Sequence, residues 1–315
     1  MTMAWFSLWA PLVLQLVVPL LLVGWVAAGR GTRSIRIASA VLSVIYFVAI
    51  GLAGLWLVLP WWLPVLYAVL LLAAVRRAPP AMPHVRPAPV LERATLVVLG
   101  LSGLLLSAVI LVALTARRPP RDAVELAFPL QSGTYLVVNG GNHQLINAHL
   151  ATLEGDRFRP YRGQSYGVDL VRVDRLGVRA RGLLPNDPRA YLIFGDTVVA
   201  PCPGRVVAAV DGIPDMSPPQ PDRSHMAGNH VILDCVGTWV VLGHLQRGSV
   251  VVRQGDTVPS GAALGCVGNS GNTGEPHLHI HAQRPGTDAE PMSGEPLTIR
   301  LGGRFLARNQ RIETG

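Results

Sequence analysis

Apolar residues are unevenly placed along this chain. They run in long unbroken blocks as far as Ala116, then alternate with polar residues in short stretches. Ala4–Ala28 and Ala94–Ala116 are each long enough, as helices, to cross a bilayer's hydrocarbon layer, which takes about 20 residues. Ile37–Val75 is too long for one crossing and is interrupted at Pro60, Trp61, Trp62 and Pro64. Two helices joined by a tight Pro-containing turn fit that block better, with the tryptophans in the interfacial belt. The pattern predicts about four transmembrane helices within residues 1–120.

Beyond a short linker at Pro119, Pro120 and Arg121 the period changes. Strand-length runs separated by Gly, Pro and Asn turns fall at Thr134–Asn139, Tyr166–Val173, Thr197–Ala200, Arg205–Val210, His230–Leu233, Thr238–Leu242, Ser249–Val252 and Leu278–Ala282. No stretch carries a 3.6-residue apolar period. Residues 121–315 therefore read as a mostly β, antiparallel domain with its core at about 134–283.

Charge separates the same two parts. Only 15% of the 315 residues are charged and 50% are apolar, which excludes a disordered chain. Residues 1–120 hold nine Arg and one acid, Glu92, whereas residues 121–315 hold eighteen Arg and eighteen acids. The net charge of +8 thus belongs to the first part, and the polar part has no excess charge to attract phosphate; nucleic acid is excluded as a partner. Arg30, Arg33 and Arg36, and then Arg76, Arg77, Arg86 and Arg93, lie in loops that the positive-inside rule places in the cytoplasm. Arg117, Arg118 and Arg121 count the other way, and the majority puts residues 121–315 outside the cytoplasmic membrane. The first block has no Arg before Arg30 and is too long for a signal-peptide core, so it reads as a span. Gln15 is the one strongly polar side chain inside a span, so the first part reads as an anchor in the lipid bilayer rather than a transport or sensor module.

An exterior location permits disulfides. Cys202 and Cys235 flank neighbouring predicted strands and are placed to pair; the alternative is that they and Cys266 are small buried hydrophobes.

Eight of the nine histidines lie in the polar part. In Pro276-His277-Leu278-His279-Ile280-His281 a strand's period of two puts three imidazoles on one face and Leu278 and Ile280 on the other, an arrangement suited to a metal or proton-transfer site. Upstream stand His244-Leu245, Gly255-Asp256 and the turn Gly268-Asn269-Ser270-Gly271-Asn272-Thr273-Gly274. Gly268-Asn269-Ser270 begins like a nucleophile elbow, but Asn272 stands where its second Gly belongs. Paired carboxylates at glycosidase spacing are not evident.

The stretch Val241–Gln283 resembles the core of the lysostaphin/LytM-type zinc metallopeptidases, which cleave peptide bonds in bacterial peptidoglycan. The likeness is carried by His244, Leu245, Gly255, Asp256, Gly268, Ser270, Gly271, Gly274, Pro276, His277, Leu278 and His279. It extends over roughly Val198–Gln283, and in part over Thr134–Val173. The resemblance implies one Zn²⁺ per chain with His279 as a ligand, and His244 and His277 as catalytic imidazoles that steer water and stabilise the oxyanion. The family's His-x-x-x-Asp motif corresponds to Ser165-Tyr166-Gly167-Val168-Asp169, so Asp169 fits the carboxylate ligand while Ser165 stands where histidine is expected. Catalytic zinc takes three protein ligands and water. Asn147-Ala148-His149, ahead of Gln164, Tyr166 and Asp169, resembles a segment of membrane-linked members, and His149 is assigned as the third ligand, with His143 the second candidate. His225, His230 and His281 have no matching position and are taken as structural or surface residues.

The expected activity is that of a membrane-anchored zinc metalloendopeptidase acting on peptidoglycan peptides. The alternative, kept open by Ser165, is an inactive member that binds wall peptide or regulates a partner cell-wall hydrolase.

Overall fold

A computed structural model describes residues 11–79, 88–120, 122–287 and 289–315 of the chain. The start of the first expected span at Ala4, together with Arg86 and Arg121, lies outside the described residues. The chain divides into two compact units, Met1–Thr115 and Ala116–Gly315.

The first unit is helical. A π-turn at Val13–Val17 runs into α1 (Val18–Ala27), followed by α2 (Arg33–Ala53), α3 (Leu63–Arg77) and α4 (Pro89–Thr115). Thr32 caps α2 by accepting from the Ile35 amide at 3.4 Å, and its hydroxyl donates to Glu92 at 2.6 Å. Pro64 falls in the first turn of α3, where a missing amide hydrogen costs nothing. α2, with 21 residues, and α4, with 27, are long and apolar enough to cross a membrane. The apolar helix Val13–Ala27 and the 15-residue α3 are shorter than the about 20 residues that a crossing takes. The wider turn of a π-helix breaks the usual i→i−4 pattern. Here Tyr46 donates to the Leu14 carbonyl and Tyr67 to the Gln15 carbonyl, both at 2.7 Å. Gln15 is itself buried and donates to the Leu55 carbonyl at 3.1 Å. Val26, Phe47, Trp56, Tyr67, Leu71 and Ala74 pack into one cluster around these bonds.

The second unit is mostly β and antiparallel. Its strands are β1 (Val124–Leu126), β2 (Gly133–Asn139), β3 (Val168–Arg172), β4 (Thr197–Val199), β5 (Gly204–Val210), β6 (Asn229–Asp234), β7 (Trp239–Leu245), β8 (Thr257–Val258), β9 (Ala263–Cys266), β10 (Leu278–Gln283), β11 (Pro296–Leu297), β12 (Ile299–Leu301) and β13 (Arg311–Thr314). The main sheet runs β13-β2-β3-β10-β7-β6-β5-β8, with β11 added to β10. β4 pairs with β9, and β1 with β12 in the one parallel pair among the described strands. Val137, Leu170, Val231, Leu233, Val240, Leu242, Leu278 and Ile280 meet in the core beneath the sheet.

Ser249–Val252, expected as a strand, is irregular. Its Val251 amide does donate to Leu264 at 3.0 Å, but the Ser249 hydroxyl accepts from the Cys266 amide, so a side chain takes the place of the next ladder bond. The stretch from Tyr166 also begins differently. Tyr166 ends a 3-10 helix (Asp156–Tyr166), and extension starts only at Val168. Cys202 and Cys235 form a disulfide with Cα atoms 6.0 Å apart, and Cys266 is free and half-buried.

Candidate metal centre

Strand register lays the site out as a row. Asn139 on β2 is the partner of Asp169 on β3, Asp169 is the partner of His279 on β10, and His279 is the partner of Gly243 on β7. A bulge between Val137 and Asn139 brings Asn139 into that row. Asp169 and His279 are both buried. His279 Nδ1 lies 2.9 Å from Asp169 Oδ1, and Asn139 Nδ2 donates to Asp169 Oδ2 at 2.8 Å.

His149 reaches the same carboxylate from outside the sheet. It sits on the 3-10 helix Ala148–Thr152, capped by Asn147, whose Oδ1 accepts from the His149 amide at 3.2 Å. The Asn147 Nδ2 donates to the carbonyls of Gly141 and Gly167, which ties this helix to the approach to β3. His149 Nε2 then lies 2.9 Å from Asp169 Oδ2. Gly167 makes the meeting possible: a Cβ there would come within 2.7 Å of His279 Cε1 and 3.3 Å of His149 Cδ2. One ligand atom from each of His149, Asp169 and His279 falls within 4.8 Å of the others.

Ser165, at the position where the motif expects histidine, is fully buried. Its Oγ lies 2.8 Å from Thr152 Oγ1 on the His149 helix, and it donates to the Arg162 carbonyl at 2.6 Å. Thr152 Oγ1 is also 2.7 Å from the His149 carbonyl.

Two further imidazoles border the cluster. His244 is the penultimate residue of β7, with φ +61°, a left-handed conformation that costs a non-glycine residue about 1–3 kcal/mol. It is held there by its amide bond to Ala227 and by the Gly268 amide bonding to its carbonyl. Its Nδ1 donates to the Ser270 carbonyl at 2.9 Å, which leaves Nε2 as the basic nitrogen. His277 stands 4.7 Å from His244, ring to ring, with its Nδ1 donating to the Glu275 carbonyl at 2.9 Å and its Nε2 3.6 Å from Asp169 Oδ1. The Glu275 carboxylate is gripped by the buried guanidinium of Arg179 at 2.8 Å, which fixes the loop ahead of His277. The side chains of His149 and His277 are 19% and 15% exposed against 6% for Asp169, so the cluster opens to solvent between those two rings.

Burial alone would raise the Asp169 pKa. The charges of His149 and His277, with the bond from His149, outweigh it and hold the carboxyl well below its usual range. Burial, reinforced by His277 and His279, pushes His244 well below 6.5.

The remaining histidines separate clearly. His143 is exposed and its Nδ1 accepts from the Leu145 amide, away from the cluster. His225 is exposed and pairs with Asp222 at 2.7 Å. His230 is half-buried against the Gly228 carbonyl. His281, expected to be merely structural or on the surface, is fully buried with its Nδ1 2.9 Å from His279 Nε2. Asn139 and His281 were the contacts missed from the sequence. The period of two that aligned His277 with His279 already placed His281 on the same face. Ser270 offers no nucleophile, because its buried hydroxyl donates to Leu245 and accepts from the Asn229 amide.

Residues 192–291 match Peptidase family M23. His244, His277 and His279 fall inside that segment, and His149 and Asp169 precede it. A search of the curated proteins finds no match. Among solved structures, the chain is similar to the catalytic domain of the antimicrobial peptidase lysostaphin from Staphylococcus simulans, at 21% identity over 40% of this chain and 71% of that one, with a TM-score of 0.26. It is also similar to a zinc-containing peptidase from Vibrio cholerae, at 17% identity over 37% of this chain and 46% of that one, with a TM-score of 0.23. Of lysostaphin itself the chain covers 39%, at 20% identity over 40% of this chain and a TM-score of 0.26.

Proposed function

With a peptidase M23 domain at residues 192–291 as premise, we propose that this chain is a membrane-anchored zinc metalloendopeptidase that hydrolyses peptide bonds in peptidoglycan. The observation that carries the reading is the convergence of His149, Asp169 and His279 within 4.8 Å, with His244 and His277 beside them. The donor set suits zinc: two imidazole nitrogens and a carboxylate oxygen make the three protein ligands of a catalytic site, leaving a fourth position for water. His149 supplies the imidazole that Ser165 lacks.

Held by His149, Asp169 and His279, zinc would lower the pKa of a bound water to about 7 and polarise a substrate carbonyl. The chain's own residues do the rest. His277 presents Nε2 at the open side of the cluster, placed to take a proton from the attacking water and return it to the departing amine. His244, kept neutral by burial and with its Nδ1 committed to Ser270, presents the second Nε2. A basic Nε2 accepts a hydrogen bond, which suits this ring to steering the attacking water toward the carbonyl.

The anchor is supported by α2 and α4 and by the exposed Leu101, Leu104, Leu105 and Leu111 along α4. The disulfide supports an extracytoplasmic second unit, residues 121–315 in the domain division read from the sequence. The second reading, a non-catalytic binder of wall peptide or regulator of a partner hydrolase, is favoured by Ser165 alone. Zinc analysis and release of amino groups from purified peptidoglycan by the full chain in detergent separate the two. Zinc-dependent release supports the peptidase. A chain that binds wall peptide without taking up zinc supports the regulator.

A further inference from the structure

The reverse face of β10 continues past His279 as a line of polar side chains, His281 and then Gln283, all fully buried or nearly so. His279 Nε2 lies 2.9 Å from His281 Nδ1, and His281 Nε2 lies 3.4 Å from Gln283 Oε1. Gln283 Nε2 donates to the Pro291 carbonyl at 2.7 Å. Two glycines hold the Gln283 amide in place. A Cβ at Gly163 would overlap Gln283 Oε1, and one at Gly294 would come within 2.7 Å of Gln283 Nε2.

The far end of this line dictates the proton positions along it. A backbone carbonyl only accepts, so the Pro291 bond orients the Gln283 amide with its oxygen toward His281. That oxygen also only accepts, so the His281 proton sits on Nε2 and its Nδ1 carries a lone pair. His279 must then donate through Nε2, which leaves the lone pair of His279 Nδ1 pointing at Asp169 Oδ1, 2.9 Å away. Two acceptors at that separation repel each other unless a cation lies with them.

We propose that His281 and Gln283 are positioning residues that lock His279 in the tautomer and ring orientation that present Nδ1 to the metal. The inference rests on the zinc reading above and adds residues that touch neither metal nor substrate. Metal-bound histidines commonly donate their other N–H to such a partner, and losing that partner typically costs about 10–100-fold in metal affinity.

The test uses the full chain in detergent, with Zn²⁺ affinity from chelator competition and the visible spectrum of the Co²⁺ form. His281→Phe keeps a ring but removes the acceptor, whereas His281→Asn keeps an acceptor oxygen near the Nδ1 position. We expect His281→Phe to weaken Zn²⁺ about 10–100-fold and shift the Co²⁺ bands, and His281→Asn to stay within about threefold of the wild type. Gln283→Met, which removes the last acceptor and leaves the His281 ring in place, is expected to weaken Zn²⁺ by about tenfold. This variant decides the matter if thermal melting shows His281→Phe to be unfolded. Affinity and spectrum unchanged in His281→Phe, or in Gln283→Met where that variant decides, overturn the proposal and leave the zinc reading standing. So does an Asn variant as weak as Phe. A wild type that takes up neither metal overturns both.

Discussion

Ser165 Oγ lies 2.8 Å from Thr152 Oγ1, so the position where the motif expects histidine instead anchors the short helix that carries His149. Ser165→Ala is expected to lose about 1 kcal/mol of stability in urea unfolding and to loosen His149. Ser165→His forces a large ring into a fully buried position and should cost about 1–3 kcal/mol. It should not restore zinc to a His149→Ala background. Recovery of wild-type zinc content in that double variant would show that position 165 can seat a ligand ring after all.

Metal content gives the most direct check on the ligand set. After dialysis the wild type should hold about one zinc per chain. His279→Ala and Asp169→Asn should hold none, and His149→Ala should lose its zinc to a weak chelator. His143→Ala should match the wild type, because that ring is exposed and bonded to Leu145.

Acid should destabilise the metal-free protein through its buried neutral histidines, and His230 is a convenient probe because it lies outside the ligand cluster. Burial lowers its pKa below 6.5, with the Gly228 carbonyl opposing. The unfolded chain therefore binds a proton that the folded chain refuses, and stability falls as pH drops from 6.5 through the folded value. One such group contributes at most about 1.4 kcal/mol per pH unit. His230→Asn should flatten that part of the curve in urea unfolding from pH 7 to pH 5; an unchanged slope would show that His230 does not contribute.

The Cys202–Cys235 bond spans a sequence separation of 33. Closing a loop of that length is worth about 3–4 kcal/mol in the unfolded chain. Replacing both cysteines with serine, or adding a reductant, should shift the urea midpoint by equivalent amounts. A shift with reductant in the double serine variant would point to some other thiol chemistry.

Placement of the second unit is tested with a cysteine at Asp122, just beyond α4. An impermeant maleimide should label Asp122→Cys in spheroplasts without lysis. Labelling only after lysis would reverse the orientation deduced from the arginines.

Local periodicity made much of this chain legible, and long-range pairing did not. Alternation along His277–His281 separated one face from the other, and the paired burial of Leu278 and Ile280 follows from the same period. Nothing local indicates that Asn139 lies beside Asp169, because that depends on a bulge and on which strand is the neighbour. His281 lacked a role for a related reason. Gly163, which faces Gln283 at the end of that line, comes from the 3-10 helix before β3, and Pro291 and Gly294 lie in irregular chain after β10. Ser249–Val252 has the composition of a strand, but a serine hydroxyl claims the bond that would have extended it.

The phenols of Tyr46 and Tyr67 have a consequence for the helical unit. They come from two different helices and clasp consecutive carbonyls, those of Leu14 and Gln15. The first segment is thereby keyed: sliding it by one residue, or turning it by a quarter revolution, breaks both clasps at once. Apolar packing by itself tolerates such slippage, since one leucine face is much like the next. Two oxygen-to-oxygen latches give this otherwise greasy bundle a single notch in which to sit.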